Sequence, residues 1–441
     1  MTRPGRRVAV CADVGSTFTK AAAVDLADGT LLGTAERPTT VETDVLDGLD
    51  AAIAALPLVA KPSTVDVCSS AGGGLRLAVV GYERLVTAEA GTRVGLSAGA
   101  RVVHVAAGRL DRTGLSTLDD ARPDVILLVG GTDGGDSDVL LHNAAALRRT
   151  KVPVVVAGNA EATPQALALL GRRAVGTDNV LPRIGELRPE PARAAIRDVF
   201  LRHVIGGKQL SRGRRFASLV RGATPDIVLT AAELLGELLG GDVLVVDVGG
   251  ATTDVYSVLV DTGAHDDVAG TAWHGRTVEG DLGVRWSAPS LVAAAVREGL
   301  LTTERARALE PVATMLAGNP GLLPLSDPGD GGSSVHNLTA AEDALLFGLA
   351  ATIAVRRHAR TRDLRRVRLV IGSGGVARHQ RQAGIDELHA MLNDHAGGWA
   401  LPAAASVAID TSYRLAPAGL LAARHRDAAR SLLAGLIADA Q

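Results

Sequence analysis

Residues 8–24 read VAVCADVGSTFTKAAAV, and residues 243–258 read VLVVDVGGATTDVYSV. Each stretch opens with an apolar run that ends in Asp-Val-Gly, at Asp13 in the first and at Asp247 in the second. Small hydroxyl residues follow, and then a second apolar run. The pattern predicts two β-hairpins, each with an aspartate at the end of its first strand and a glycine-containing turn. This repetition within one chain is the strongest indication of both fold and function.

Two such hairpins that face each other make a clamp for a polyphosphate. Glycines let backbone N–H groups approach phosphate oxygens, hydroxyls add donors, and two aspartates can hold a hydrated Mg²⁺. Lys20 in the first hairpin is a further phosphate ligand candidate, although a strand lysine commonly faces solvent. The phosphate contacts expected from the two turns come from Gly15, Ser16 and Thr17, and from Gly249, Gly250, Thr252 and Thr253.

A third glycine-rich element, Gly372-Ser373-Gly374-Gly375, follows a buried strand and precedes a helix. A strand, a glycine turn and a helix in this order commonly receive a nucleotide. The element matches neither the Walker P-loop nor the Rossmann fingerprint. Each of the three elements alone is compatible with an ordinary turn, so the prediction of nucleotide binding rests on all three together.

Composition excludes several classes of protein. The chain has 441 residues, enough for two or more domains, with 47% hydrophobic and 21% charged residues. The net charge of −2 and the aromatic content of 2% give no basis for binding nucleic acid or an acidic membrane surface. Only two cysteines, Cys11 and Cys68, are present, which excludes a disulfide framework or a cysteine-rich zinc site. No apolar run reaches the about 18 residues of a membrane span, so we expect a cytoplasmic protein.

The pattern of strands and helices predicts three segments. Residues 1–99 contain the first hairpin, and residues 216–441 contain the second hairpin and the glycine turn. Between them, residues 100–215 alternate continuous apolar strands with helices, which indicates a parallel sheet and an inserted α/β subdomain. In the last segment, Thr339 and Glu342 form a capping box that predicts a long helix to about residue 359.

The two hairpins and the glycine turn, in this order, resemble the phosphate 1, phosphate 2 and adenosine motifs of the actin, Hsp70 and sugar-kinase superfamily of ATPases. The resemblance implies an α/β fold of two lobes, built from duplicated RNase H-like domains, with ATP in the cleft and a hinge motion between the lobes. It places Gly374 and Gly375 near the adenosine. Gly280-Asp281 resembles the glycine-rich turn after phosphate 2, so the resemblance implies a further nucleotide contact there. Residues 416–419 resemble the second connecting helix.

A closer resemblance is to the MutL/GlmL family, accessory proteins associated with glutamate mutase and related cobalamin-dependent aminomutases, which are unrelated to the DNA-repair protein called MutL. The segments that carry it are residues 69–76 (SSAGGGLR), 123–135 (PDVILLVGGTDGG), 247–255 (DVGGATTDV) and 278–285 (VEGDLGVR). One departure is Asp136, where many members are expected to have asparagine.

The loop around Asp133 and Asp136 permits two interpretations. Acidic and glycine residues between a strand and a helix often form only a turn and a helix cap. Alternatively, the loop contacts nucleotide, metal or a partner, and Asp133 is the candidate for positioning the attacking water.

The resemblance implies a chaperone-like ATPase that binds subunits of a cobalamin-dependent mutase and uses ATP to release damaged cofactor. Asp13 and Asp247 would hold Mg²⁺ mostly through water, and together with Asp133 they are the candidate catalytic residues. The sequence leaves open a small-molecule kinase of the same fold, a polymerising actin-like protein, and the formation of a homodimer.

Overall fold

The computed structural model describes most of the chain. The described residues are 7–58, 61–70, 76–83, 91, 94, 101–199, 210–213, 215–259, 274–324, 338–360 and 362–439. Residues 71–75, within one of the family segments named above, lie outside them.

The first hairpin belongs to a five-stranded sheet in the order β10-β4-β1-β2-β3. The first three strands pair antiparallel, β4 pairs with β1 in parallel, and β10 pairs with β4 in parallel. The strands are β1 (Val8–Val14), β2 (Phe18–Asp25), β3 (Leu31–Pro38), β4 (Thr64–Ser69) and β10 (Val220–Ala223).

The second hairpin belongs to a sheet of the same design, in the order β13-β12-β11-β14-β15. Again three strands pair antiparallel, a fourth pairs in parallel with the first, and a fifth pairs in parallel with the fourth. The strands are β11 (Asp242–Val248), β12 (Thr253–Val258), β13 (His274–Glu279), β14 (Val367–Ser373) and β15 (Ser406–Ile409). The two sheets confirm the duplicated, actin/Hsp70-like fold expected from the paired hairpins.

A third sheet lies in the chain between β4 and β10 and is parallel throughout, in the order β6-β5-β7-β8-β9. Its strands are β5 (Arg76–Gly81), β6 (Arg101–Ala107), β7 (Val125–Leu128), β8 (Val154–Val156) and β9 (Ala174–Gly176). Strand pairing therefore differs from the predicted segments at two points. β5 joins the inserted sheet although it precedes residue 100, and β10 joins the first sheet although it follows residue 216.

The helices cover both sides of these sheets. They are α1 (Val45–Ala54), α2 (Arg112–Asp120), α3 (Asp138–Ala146), α4 (Thr163–Leu170), α5 (Glu190–Val199), α6 (Arg215–Leu219), α7 (Thr224–Leu239), α8 (Ala288–Arg297), α9 (Thr303–Gly318), α10 (Ala340–Ala359), α11 (Gly375–His379), α12 (Arg381–Leu392), α13 (Leu415–Leu421) and α14 (Arg426–Ala438). None of the described helices combines the length and the hydropathy needed to cross a membrane. The predicted capping box is confirmed, because the Thr339 hydroxyl accepts from the Glu342 N–H and the Glu342 carboxylate accepts from the Thr339 N–H.

Three helices, α7, α13 and α14, share one apolar core with both matching sheets. Ala9 and Cys11 from the first sheet and Val243 and Val245 from the second belong to this core. Since a well-packed core transmits displacement rather than absorbing it, these helices couple the positions of the two sheets. A separate core joins the first sheet to one face of the inserted sheet.

Candidate functional site

The two predicted turns are closed by the same backbone hydrogen bond. The Gly15 N–H donates to the Phe18 carbonyl at 3.1 Å, and the Gly249 N–H donates to the Thr252 carbonyl at 2.9 Å. A Cβ at Gly15 would lie only 2.8 Å from the Phe18 oxygen, so this turn requires glycine. The N–H groups of these two glycines therefore close the turns, which leaves phosphate contacts to the other turn residues.

The two turns also face each other. A Cβ built on Gly250 in the second turn would lie 3.8 Å from the Thr17 Oγ1 in the first. Ser16 is exposed, and Thr17, Gly250 and Thr252 are half-buried. Hydroxyls and glycine backbone from both hairpins are thus presented to one space between the sheets, as a phosphate clamp requires.

Below the turns lies a cavity into which both sheets contribute aspartates. Its lining includes four of the residues predicted from sequence and three that sequence reasoning did not identify. The predicted residues are Asp13, Lys20, Asp247 and Ser373, and the additional ones are Thr224, Asp410 and Tyr413. The interpretation of Lys20 as a solvent-facing residue does not fit this position in the cavity wall.

Asp13 accepts hydrogen bonds from two neighbouring side chains. The Thr224 hydroxyl, at the start of α7, lies 2.5 Å from Asp13 Oδ1, and the Cys68 Sγ lies 3.6 Å from the same oxygen. Burial raises the pKa of Asp13, and Asp247 adds to that effect, while Lys20 and the two hydrogen bonds oppose it. A bound cation would relieve the cost of charging such a carboxylate.

Two further aspartates surround Asp247 in the second sheet. Asp254 is its cross-strand neighbour and accepts from the Arg276 Nε at 2.8 Å. Asp410 follows β15 and accepts the N–H groups of Arg414 and Leu415 at the start of α13. Burial raises the pKa of both Asp254 and Asp410, and the charge of Asp247 contributes in each case.

Asp254 was visible in the sequence as the last residue of the second motif, Asp-Val-Gly-Gly-Ala-Thr-Thr-Asp, but its position beside Asp247 was not. Asp410 and Thr224 lie in segments that match no motif. Only the pairing of β15 and the start of α7 bring them to the cavity.

The turn predicted at Gly280-Asp281 braces the second hairpin from outside the cavity. The N–H groups of Val284 and Arg285 donate to the carbonyls of Gly249 and Gly250 at 3.0 and 2.8 Å. Arg285 also makes a buried two-bond ion pair with Asp343, at 2.7 and 3.3 Å. These contacts fix the backbone of the turn, which is the preorganisation that an anion site needs.

Two of the predicted residues are engaged elsewhere. The Asp281 carboxylate is held by Arg357 at 2.9 and 3.2 Å and does not line the cavity. The Thr253 hydroxyl is fully buried and donates to the Leu282 carbonyl at 2.7 Å, so it points into the lobe. Both residues support the loop, and their side chains are not presented to a phosphate.

The third glycine element divides into packed and open positions. Gly372 lies within β14, where a Cβ would meet the side chains of Ile409 and Leu388 at 2.6 and 2.7 Å. Gly374 has a φ of 115° and packs against the Val248 carbonyl. A Cβ added at Gly375 would have no other atom within 4 Å, so this is the glycine that a ligand can approach.

The loop containing Asp133 lies at the end of β7 in the inserted sheet. Its Oδ1 accepts from Asn179 Nδ2 at 2.9 Å and from the Ala160 N–H at 3.0 Å. Asp133 does not line the cavity that contains Asp13 and Asp247. This geometry favours the interpretation of a structural loop over a role in positioning water.

The donor set at the cavity fits Mg²⁺. Magnesium usually binds through one or two carboxylates, keeps several waters and takes its other ligands from substrate phosphates. Asp13 and Asp247 supply hard oxygen donors of this kind, one from each sheet. Among the residues that the structure describes, no cluster of three or more histidine, cysteine or acidic side chains forms a complete metal cage.

Two comparisons with known proteins identify the same family. The family model described as "MutL protein" matches residues 9–436. The chain is 33% identical over 451 residues to the protein MutL of Clostridium tetanomorphum, covering 93% of this chain and 95% of that protein.

Solved structures show a more distant likeness. The nucleotide-free diol dehydratase-reactivating factor aligns at 12% identity with a TM-score of 0.39, over 95% of this chain and 100% of that chain. Xylulose kinase from Bifidobacterium adolescentis aligns at 13% identity with a TM-score of 0.33, over 98% and 93%. Because these scores are low, the fold assignment rests on the strand order described above. On the match along almost its whole length, the chain belongs to the MutL family, the one associated with glutamate mutase and not with DNA repair.

Proposed function

We propose that this chain is an ATP-dependent accessory factor that reactivates a cobalamin-dependent mutase, glutamate mutase or a related aminomutase, by promoting release of damaged cofactor. The observation that carries the proposal is the pair of matching turns, which approach each other at Thr17 and Gly250, beside a cavity that has Asp13 and Asp247 in its wall. Membership in the MutL family supports the choice of partner.

In this proposal the polyphosphate of ATP lies between the turns, against Ser16, Thr17, Gly250 and Thr252. Asp13 and Asp247 would hold Mg²⁺ mostly through water, and the ion would neutralise charge on the phosphates. Lys20 adds a positive charge to the same cavity wall. The open position of Gly375 supports its assignment to the adenosine end of the nucleotide.

The coupling to a partner would be a population shift. Nucleotide contacts both sheets and therefore favours the closed arrangement, and the partner binds the open and closed arrangements with different affinity. Helices α7 and α13 belong to the core between the sheets, and the starts of both contribute to the cavity, at Thr224 and at Leu415. These helices are the elements through which occupancy of the cavity would reach the rest of the chain.

The test is recovery of a mutase from the same organism after inactivation with a cobalamin that lacks the adenosyl group. The protein is added with Mg²⁺, ATP and fresh adenosylcobalamin, and we expect mutase activity to return only when ATP is present. Asp247→Ala should abolish recovery, because it removes one of the two carboxylates at the clamp. The matched control is Asp120→Ala, at an exposed position on α2.

Recovery that does not need ATP, or that survives Asp247→Ala, would contradict the proposal. Absence of recovery together with phosphate transferred to a small metabolite would instead support a small-molecule kinase.

A further inference from the structure

Three side chains form a row across the first sheet beside the cavity. Asp13 on β1 is the direct partner of Lys20 on β2, and Lys20 is the direct partner of Glu36 on β3. Direct partners on adjacent strands place their side chains on the same face of the sheet. The row therefore runs from the candidate metal ligand outward to Glu36.

Two residues from the half of the molecule that contains the second sheet contact this row. They are Arg378 on α11 and Tyr413 after β15. The Tyr413 hydroxyl donates to Glu36 Oε2 at 3.0 Å, and Arg378 forms an ion pair with the same carboxylate. The Tyr413 ring also contacts both cations, with the Lys20 Nζ at 4.8 Å and the Arg378 guanidinium at 4.1 Å from the ring centre. Such cation–π contacts are favourable at these distances.

The backbone at Tyr413 supports a specific role for this contact. Tyr413 has a φ of 52°, and only one other non-glycine residue among those described, Arg122, has a positive φ. This conformation is unfavourable for a bulky residue and persists only where surrounding contacts hold it. Burial raises the pKa of Tyr413, and the Glu36 carboxylate adds to the effect, so the phenol stays protonated as a donor at neutral pH.

Not all hydrogen-bond donors of Arg378 are paired within the cluster. Its side chain is only 16% exposed, and its Nε is buried with no hydrogen-bond partner among the described residues. An unpaired buried donor is costly, so the cluster is less stable than a fully paired network. It is therefore suited to open when a competing anion arrives.

We propose that Lys20, Glu36, Arg378 and Tyr413 form a latch between the two halves of the molecule, which must open for nucleotide to enter or leave and which phosphate loosens by competing for the two cations. The latch lies at the cavity, because Lys20 and Tyr413 line the same wall as Asp13 and Asp247. This proposal rests on the proposed function, in which the cavity binds nucleotide. It adds a control on the rate of nucleotide exchange, in which Glu36, Arg378 and Tyr413, all outside the three glycine motifs, act together with Lys20.

The test measures release of a fluorescent ADP analogue by stopped flow from the whole chain. In Glu36→Gln we expect release to accelerate about three- to tenfold, the effect of losing one partly buried ion pair. Tyr413→Phe keeps the ring and loses only the bond to Glu36, so it should give a smaller acceleration. Because both variants act on one contact, the double variant should be less than additive. The matched control is Glu310→Gln, an exposed glutamate on α9.

A second readout needs no nucleotide. Hydrogen–deuterium exchange of β2, β3 and α13 in the nucleotide-free protein should be faster in Glu36→Gln than in Glu310→Gln. If the latch variants bind nucleotide and release it at the same rate as the wild type, the latch is overturned and the proposed function stands. If the wild type does not bind nucleotide, the proposed function is overturned. If hydrogen exchange is then also the same in Glu36→Gln and Glu310→Gln, the latch contact is overturned as well.

Discussion

The Asp13 carboxylate lies where the folded chain makes its ionisation costly. Burial raises its pKa above the ordinary value of 3.8, and the charge of Asp247 adds to this. The native protein therefore keeps the proton to higher pH than the unfolded chain. By linkage, the free energy of unfolding declines as pH rises from about 3.8 through the native pKa and is level above it.

This predicts that Asp13→Asn stabilises the nucleotide-free protein while it weakens Mg²⁺-nucleotide binding. The amide oxygen can still accept from Thr224 and Cys68, but no charge has to be buried. We expect a gain of about 0.5–2 kcal/mol at neutral pH, which disappears below the ordinary aspartate pKa. Thermal unfolding of both proteins from pH 4 to pH 8 checks it. A variant that is less stable than the wild type at neutral pH, or equally stable at all pH values, would show that burying the charged carboxylate does not destabilise the native protein.

At this scale, sequence reasoning identified the residues that belong to motifs. Asp13, Lys20, Asp247 and Ser373 were predicted and line one cavity. The hydroxyl of Thr253 was misjudged, because strand alternation turns it into the lobe, where it binds the Leu282 carbonyl. Thr224, Asp410 and Tyr413 were missed, since each lies in a segment without a recognisable pattern. Their positions depend on long-range strand and helix packing, which local sequence does not encode.

At the scale of elements, the crossing of α7 and α13 depends on one small residue. Gly419 on α13 lies so close to α7 that a Cβ would overlap the carbonyl oxygen of Ile227. These helices belong to the core that both matching sheets share. A larger residue at this position must therefore separate the helices and, with them, the sheets.

We predict that Gly419→Ala lowers the free energy of unfolding by about 1–3 kcal/mol, the usual cost of overpacking a core. It should also weaken nucleotide binding, although Gly419 does not line the cavity. Chemical unfolding and nucleotide titration measure the two effects. The control is Gly318→Ala in α9, where no other atom lies within 4 Å of an added Cβ. Equal stability of the two variants would show that the close crossing is not required.

Sequence reasoning also recovered most of the elements, but not all of their partners. The hairpins and the parallel character of the inserted sheet were predicted because their strands are continuous apolar runs with clear turns. Strands β5 and β10 were not identified from the sequence. Both are short, at six and four residues, and their partners are chosen by the tertiary packing of distant segments.

At the scale of the whole molecule, the matching sheets, their shared core and the proposed latch all bear on the relative position of the two halves. Each of the two matching sheets contributes an aspartate to the cavity and carries one of the two turns, so neither sheet alone supplies both sides of the clamp. Nucleotide binding should therefore depend on the relation between the halves as much as on the residues that touch phosphate.

The most direct measurement is isothermal titration of the whole protein with a non-hydrolysable ATP analogue, with Mg²⁺ and with excess chelator. We predict one binding site that requires Mg²⁺ and is lost in Asp247→Ala, while that variant keeps a cooperative thermal unfolding transition. Binding that is unaffected by Asp247→Ala, or no binding by the wild type, would contradict the assignment of this cavity as the nucleotide site.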